Sequence, residues 1–532
     1  SIQMSQELEY LSRCVAAGRL SRRDFLGRAS ALGVSATFAS TLLATAAYAQ
    51  GPVRGGILRA GLSGGGATDS LDPGSLIGAL TIVFGKCWGE LLMEVTPDGG
   101  LEYRIAESIG SSKDAKTWTM KIRKGIQFHN GKEVTPQDVV ATLERHTNKE
   151  SKSGALGLLR GIESLKVDGR DVVVTLKEPN ADLPYLMTDY HLIIQPNGGK
   201  DNPTAGISAG PYKVAVNEPG VRYGGEKFKN YWQSGKVGHA DQIEIIVIND
   251  ATARISALQG NQVHMIDRIE PKVVDLLKRV PGVSIQNISG RGLYHFSMFC
   301  NTAPFNNPDL RMALKLAMNR EEMLDKVLRG YGSVGNDFPI NKAYPLFPED
   351  IPQRKFDPEQ AKHYYKKSGH SGSILLRTSD AAFPGAVDAA QLFQQSCAKA
   401  GIAIEVKREP ADGYWSEVWL KQPFAAAYWS GRATQDQMYS TAYQSTAEWN
   451  DTRFSNEKFD KLLRAARGEL DQDKRKNHYR DMAMIVRDEG GLIAPFFNQF
   501  IDATGPGVKG FVKHPARPLG NGYALAQCWL ER

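Results

Sequence analysis

Between residues 51 and 532, short stretches that alternate apolar and polar side chains take turns with longer stretches of helical spacing, and no internal repeat is visible. In "TWTMKIR", Thr117 to Arg123, the side chains of Trp118, Met120 and Ile122 fall on one face and polar residues on the other, which predicts a half-buried strand. Asn130-Gly131 supplies a turn, and Thr135 is placed to cap a helix that starts at Pro136 and runs to about His146. "DPEQAKHYYKKSG" predicts a second helix, with Asp357 as cap, Pro358 at its first position and Gly369 as its stop. Two longer helices are predicted near 456–468 and 472–488, ahead of the apolar strand "GLIAPFF". The alternation makes the class mixed α/β with several sheets.

A chain of 532 residues is too long for one ordinary core and predicts two or three large lobes. Its 42% hydrophobic and 23% charged residues are those of a folded globular protein, so disorder is not expected. The first fifty residues differ from the rest. "SRRDFLG", with the pair Arg22 and Arg23, precedes a mild Ala/Ser/Thr-rich apolar stretch from Ala29 to Thr45. "AYAQ" follows, whose Ala47 and Ala49 suit an A-x-A cleavage site. This predicts a twin-arginine export signal over residues 1–49, with Ser1-Ile2-Gln3 as a tag remnant ahead of Met4. The stretch is too short and too polar for a permanent anchor. The mature protein is then expected in the periplasm, starting near Gln50.

Charge and cysteines narrow the function less. The formal net charge is +7, and residues 1–49 hold five basic and three acidic side chains, so the mature part carries +5. Basic residues are interspersed with acidic ones, so no nucleic-acid surface is implied. Cys87, Cys300, Cys397 and Cys528 are scattered with no C-x-x-C spacing, which leaves a disulfide and four unpaired thiols both open. The histidines form no H-E-x-x-H or similar cluster, so neither a metal nor another cofactor is expected.

Several stretches carry a resemblance. "AESIGSSKDAKTWTMKIRKGIQFHNGKEVTPQDVVATLER", Ala106 to Arg145, resembles the signature of periplasmic peptide- and nickel-type solute-binding proteins, the ligand-capturing subunits of ABC importers. "SAGPYKV" (208–214), "NYWQSGKVGHADQIEI" (230–245), "NTAPFNNPDLRMALKLAMNRE" (301–321) and "FSNEKFDKLLRAAR" (454–467) follow in the order that family would have them. The resemblance implies a two-lobed periplasmic-binding-protein fold of the type II, large peptide-binding kind, with an extra subdomain in lobe one. Lobe one would take residues 50–294 and return over 498–532, and lobe two 295–497. "YHFSMFCN" and "IAPFFNQ" are apolar enough for two crossing strands. The implied mechanism is hinge closure around a peptide or peptide-like solute and delivery to a membrane permease, by a monomer that does no covalent chemistry.

The same resemblance places a cleft. Its peptide-binding branch carries an aspartate three residues after the tryptophan equivalent to Trp429, and that carboxylate holds the ligand's α-amino group; here the position is Arg432. A guanidinium there reverses the sign of the anchor and predicts an acidic group on the solute. Two alternatives stay open: Arg432 pairs internally with Asp436 or with a carboxylate elsewhere, leaving the cleft neutral, or Asp436 takes the amine-binding role while Arg432 faces solvent. Trp429, Trp449, Asn450 and Tyr439 are the further candidate contacts in lobe two, with Asn450 as a turn residue the competing role. Gly65 and Gly66 of "SGGGATD" are the candidates in lobe one; that loop lacks the Lys-Ser/Thr ending of a phosphate loop. "GISAG", Gly206 to Gly210, fits the G-x-S-x-G pattern of a hydrolase, but a polar loop precedes Ser208 and a strand-like stretch follows it. A secreted hydrolase using Ser208, and a carrier of a metal complex or haem, are the alternative functions.

Overall fold

The computed structural model of the chain describes residues 2–531 except 17, 18, 50, 77, 149, 411–413 and 448; Gln50, the expected start of the mature chain, lies outside the described residues. Three helices, Ile2–Ala16, Arg22–Ala31 and Ala36–Ala49, share a small core of Leu8, Leu11, Phe25, Ala29, Ala39 and Leu43. Ser21 caps the second of them by accepting the Asp24 N–H, which puts Arg22 and Arg23 in its first turn. Among the described residues no helix is long and apolar enough to cross a membrane.

The rest is organised by an 11-stranded mixed sheet. Its order is Ile404–Arg408, Ile374–Thr378, Phe424–Trp429, Ser284–Met298, Leu492–Thr504, Met265–Ile266, Ile57–Leu62, Gln242–Val247, Arg222–Lys227 and Tyr212–Glu218, with Gly332–Val334 paired to Leu492–Thr504. The two long central strands run antiparallel from Ser284 opposite Thr504 to Ser297 opposite Leu492, and their register breaks between Ser289 and Leu293. Glycines are required at that break: a β-carbon on Gly290 would lie 2.7 Å from the Phe500 ring, and one on Gly292 2.9 Å from Asn498 Oδ1. On one side of the break Ile501 and Ala503 join a core with Leu258, Ile266 and Leu277. On the other, Phe296 and Phe496 join Leu314, Phe393 and Phe424. Leu492–Thr504 is thus buried toward both ends, while Ser284–Met298 is half-buried up to Ser289 and largely buried beyond Gly290, and the pair connects the two lobes. The chain's end returns to the first half, where Leu519, Leu525 and Cys528 pack with Leu58, Phe84 and Tyr212.

A second, four-stranded sheet, Ala106–Ser111, Thr117–Ile122, Asp171–Leu176 and Ile162–Asp168 in spatial order, has its own core. Trp118, Met120 and Ile122 point into it as their alternation predicts, each contributing about 1.5–3 kcal/mol by burial. The helix Pro136–Thr147 covers it, started by a capping box in which Thr135 and Asp138 bond each other's backbone. Elsewhere Asp357 caps Pro358–Ser368, and Gly369 ends that helix at φ 70°. Glu457–Gly468 and Gln472–Glu489 pack together through Phe459, Leu463, Tyr479 and Met482. The lobes touch where Asp182 pairs with Arg475 at 3.0 Å, both buried, and the Ala181 N–H donates to the Arg467 carbonyl at 2.7 Å. Cys87, Cys397 and Cys528 are buried free thiols, and burial pushes Cys87 and Cys528 up to about 12.

Candidate functional site

The strand Phe424–Trp429 lies inside the sheet, with Leu293 opposite Trp429 and Tyr294 opposite Tyr428. Its alanines, Ala425 to Ala427, let neighbouring layers close over it, and the chain leaves the sheet just after Trp429. Gly431 sits so near the crossing strand that a β-carbon there would lie 2.4 Å from Arg291 Cβ. Arg291, itself buried, holds the departing loop by donating from Nη1 to the carbonyls of Arg432 (3.1 Å) and Ala433 (3.3 Å), and from Nε to the Ala343 carbonyl (2.8 Å). On the other side Tyr344 Oη accepts the Arg432 N–H at 3.0 Å. The loop is thus pinned from two directions before Thr434 caps the helix Gln435–Ala442.

That pinning presents the Arg432 side chain at the end of the strand, partly buried. Its Nη1 donates to the Ser430 carbonyl (2.8 Å) and hydroxyl (3.0 Å), and the guanidinium lies 5.8 Å from the Trp429 ring. Among the described residues no carboxylate lies within ion-pair distance of it. Burial disfavours its charge, and the field of a second guanidinium, Arg517, adds to that, while the phenols of Tyr344, Tyr190 and Tyr428 act the other way. Arginine keeps its proton, so the cost of burial falls on the charged guanidinium.

Arg517 comes from the returning C-terminal segment. Its guanidinium lies 4.3 Å from the Tyr190 ring, beside a recess lined by Gly78, Ala79, Ile82, Val83, Tyr190 and Gly522. Burial raises the Tyr190 phenol, with Arg517 and Arg432 both opposing it, so this ring lies in the field of both cations. Sequence reasoning missed Arg517, Tyr190, Arg291 and Tyr344; nothing in "HPARPLG" or "TDYHL" distinguishes them from ordinary loop residues.

The other predicted contacts divide. Trp429 is buried against Trp419 (5.9 Å) and Trp449 (6.5 Å), and its Nε1 has no hydrogen-bond partner among the described residues. Trp449, Trp415 and Tyr428 stay exposed, Trp415 meeting Tyr428 at 5.4 Å and Trp449 lying against Trp419 at 6.4 Å and Trp429 at 6.5 Å. Asp436 does not meet Arg432: Arg467 grips it with Nε–Oδ2 at 2.7 Å and Nη2–Oδ1 at 2.9 Å, and Ser440 adds a hydroxyl at 2.6 Å. Its lone pairs are spent, so neither the pairing with Arg432 nor the amine-binding role describes it. Tyr439 is a correction: fully buried among Tyr443, Phe459 and Tyr479, it is core. Asn450 is another, a turn residue whose Nδ2 donates to the Gln444 and Phe454 carbonyls and whose Oδ1 accepts the Phe454 N–H. Gly65 and Gly66 form a loop tied to Asn249 and Asp69; a β-carbon on Gly65 would lie 2.6 Å from Val247 Cγ1, while Gly66 faces open space. Among the described residues no hydrogen bond or ion pair joins that loop to Arg432.

Ser208 is not a nucleophile in this geometry. It is completely buried, its Oγ donating to the Ile194 carbonyl (2.6 Å) and accepting the Glu90 N–H (3.1 Å), and it is followed by the strand Tyr212–Glu218 rather than a helix. Among the described residues no group of three His, Cys, Asp or Glu side chains could hold a metal ion.

Comparison with known proteins bears on the family and the fold. The family model described as "Bacterial extracellular solute-binding proteins, family 5 Middle" matches residues 100–451. Heme-binding protein A of Haemophilus influenzae is 26% identical over 78% of this chain and 82% of its own length. Glutathione-binding protein GsiB of Pectobacterium atrosepticum is 25% identical over 85% of this chain and 91% of its own. The solved structure of HbpA2 from Haemophilus parasuis shares the fold, with a TM-score of 0.79 at 20% identity over 90% of this chain and all of that one.

Proposed function

Because the chain belongs to the bacterial extracellular solute-binding proteins of family 5, we propose that it captures a peptide or peptide-like solute bearing an acidic group and hands it to the permease of an ABC importer. The observation that carries the acidic group is Arg432, a partly buried guanidinium at a strand end with no carboxylate partner among the described residues. A buried cation without a counter-ion is costly, so an incoming carboxylate or phosphate gains both the charge and the unused donors. The exposed rings of Trp415, Tyr428 and Trp449 are the apolar surface offered to the solute in this reading.

Closure is the working step. Lobe one (50–294 and 498–532) and lobe two (295–497) swing about the broken register of the crossing strands, and solute contacts shared by both lobes favour the closed shape that the permease reads. The protein acts as a monomer in the periplasm, exported through the twin-arginine pathway by residues 1–49, and it leaves its cargo chemically unchanged; the buried Ser208 fits that role. Native mass spectrometry of protein purified from its own host tests the reading. A retained solute with a carboxylate or phosphate, lost in Arg432→Ala, is expected, and calorimetry with that solute showing unchanged affinity in Arg432→Ala overturns it.

A second reading, a haem carrier, is favoured by the exposed tryptophans, and a relative named heme-binding protein A shares 26% identity. It predicts a visible absorption band in the purified protein; a colourless protein that leaves added haemin unbound removes it.

A further inference from the structure

We propose that Arg517 and Arg432 form a clasp, one guanidinium from each lobe, on which a single carboxylate or phosphate of the solute is shared, so that anion binding itself drives closure. The inference rests on Arg432 as the solute's anchor and adds the half of the site that lobe one supplies.

Four observations converge. First, the two side chains come from opposite ends of the fold: Arg432 follows a strand of the lobe-two half, and Arg517 precedes Pro518–Asn521, whose Leu519 lies in the first core. Second, neither has an ion pair among the described residues. The acid within electrostatic reach of Arg517 is Asp189, and its carboxylate is already engaged by His191, 2.6 Å from Nδ1. Third, both act on the same phenol, Tyr190, which stacks on Arg517 and thereby fixes the plane of that guanidinium. Fourth, Arg517 is presented by a turn that ordinary folding does not favour. Leu519, Gly520, Asn521 and Gly522 all have positive φ (55°, 61°, 60° and 81°), a run of left-handed backbone that only surrounding structure sustains. The structure sustains it through the buried Asp502 of the crossing strand, whose Oδ2 accepts the Leu519 N–H at 2.7 Å.

The physical consequence is a change of sign. Without an anion, bringing two guanidiniums together opposes closure; with one bound between them, each cation attracts it and the same geometry favours closure. A neutral solute of the same shape would leave the repulsion in place, so the clasp also discriminates against uncharged analogues.

The test uses full-length protein freed of bound solute, with inorganic phosphate and succinate as probes at constant ionic strength, because salt screens both the repulsion and the attraction. Closure is read from the radius of gyration by X-ray scattering, and the Arg432 environment from fluorescence of the neighbouring tryptophans. The parent is expected to contract on addition of either probe; contraction with phosphate alone or succinate alone assigns the anion and also supports the clasp. Arg517→Gln is expected to be more compact than the parent without anion, since the repulsion is gone, and to bind the probe at least about tenfold more weakly, as loss of a charge-assisted pair implies. Arg517→Lys keeps the charge but not the fork, so it should start as open as the parent and still bind more weakly; it decides the matter if the glutamine variant does not fold. If Arg432→Gln loses the response while both Arg517 variants behave as the parent, the clasp is wrong and the anchor stands. If all variants behave as the parent, or the parent ignores both anions, both ideas fall.

Discussion

Asp502 offers the sharpest test of how the Arg517 turn is held. The carboxyl is buried on the crossing strand, its Oδ2 accepts the Leu519 N–H, and its Oδ1 has no hydrogen-bond partner among the described residues. Burial pushes its pKa from the usual 3.8 up to about 8, with the charge of nearby Asp267 adding to the rise and the Leu519 N–H opposing it. The folded state therefore keeps a proton that the unfolded chain gives up near pH 3.8. Below that pH the group has no differential effect; as pH rises from about 4 to about 8, the folded state holds the extra proton and loses stability relative to the unfolded chain, and above about 8 the loss is complete. One proton corresponds to about 1.4 kcal/mol per pH unit, so between about pH 5 and about pH 8 Asp502 costs the fold roughly 4 kcal/mol, less whatever water entry relieves. Asp502→Asn keeps the acceptor for Leu519 and removes the titration. Urea unfolding of parent and variant across this range should show near-equal stability at the acid end and a variant advantage growing to about 2–4 kcal/mol at the basic end. A variant-minus-parent difference that stays flat from acid to base would refute the argument, because it would mean that Asp502 is ionised in the folded protein throughout.

Three further outcomes are expected. Arg467→Ala strands the Asp436 carboxylate in a largely buried site, which should lower stability by about 2–4 kcal/mol in denaturant titration, while Arg467→Ala with Asp436→Ala recovers much of the loss. Gly431→Ala forces a β-carbon against Arg291 and should cost about 1–3 kcal/mol and displace Arg432, seen as weaker retention of the native solute by mass spectrometry; unchanged retention would show that the loop accommodates it. Ser208 should resist a serine-reactive fluorophosphonate, and Ser208→Ala should lower thermal stability by about 1–3 kcal/mol through the unsatisfied Glu90 N–H; labelling of Ser208 would restore the hydrolase.

Legibility in the sequence follows the range of the interaction. The helices Pro136–Thr147 and Pro358–Ser368 begin and end where their caps predict, and Trp118, Met120 and Ile122 face the core as alternation requires. These signals lie within a few residues of one another, so neighbouring side chains suffice to read them. Arg432 was legible as a cation at a position of interest because the residues around Trp429 carry a resemblance. Its environment was not. Tyr439 reads equally well as an aromatic contact or as core, and the rings of Phe459 and Tyr479 from two other helices, added to Tyr443 at the end of its own, make it core. Asp436 looks available to a residue four positions away, yet it takes Arg467, 31 residues on, because the helix that starts at Gln435 turns its carboxylate toward the neighbouring helix.

What the sequence by itself determined, then, is the set of elements, the α/β class and the presence of a guanidinium three residues after Trp429, since each depends on local spacing or on a matched motif. Tertiary structure alone decided which groups that guanidinium meets. Arg517 and Tyr190 reach its neighbourhood from distant parts of the chain, carried there by the crossing strands and the returning C-terminal segment, and no local pattern encodes a proximity that arises only when separate hydrophobic cores pack on one sheet.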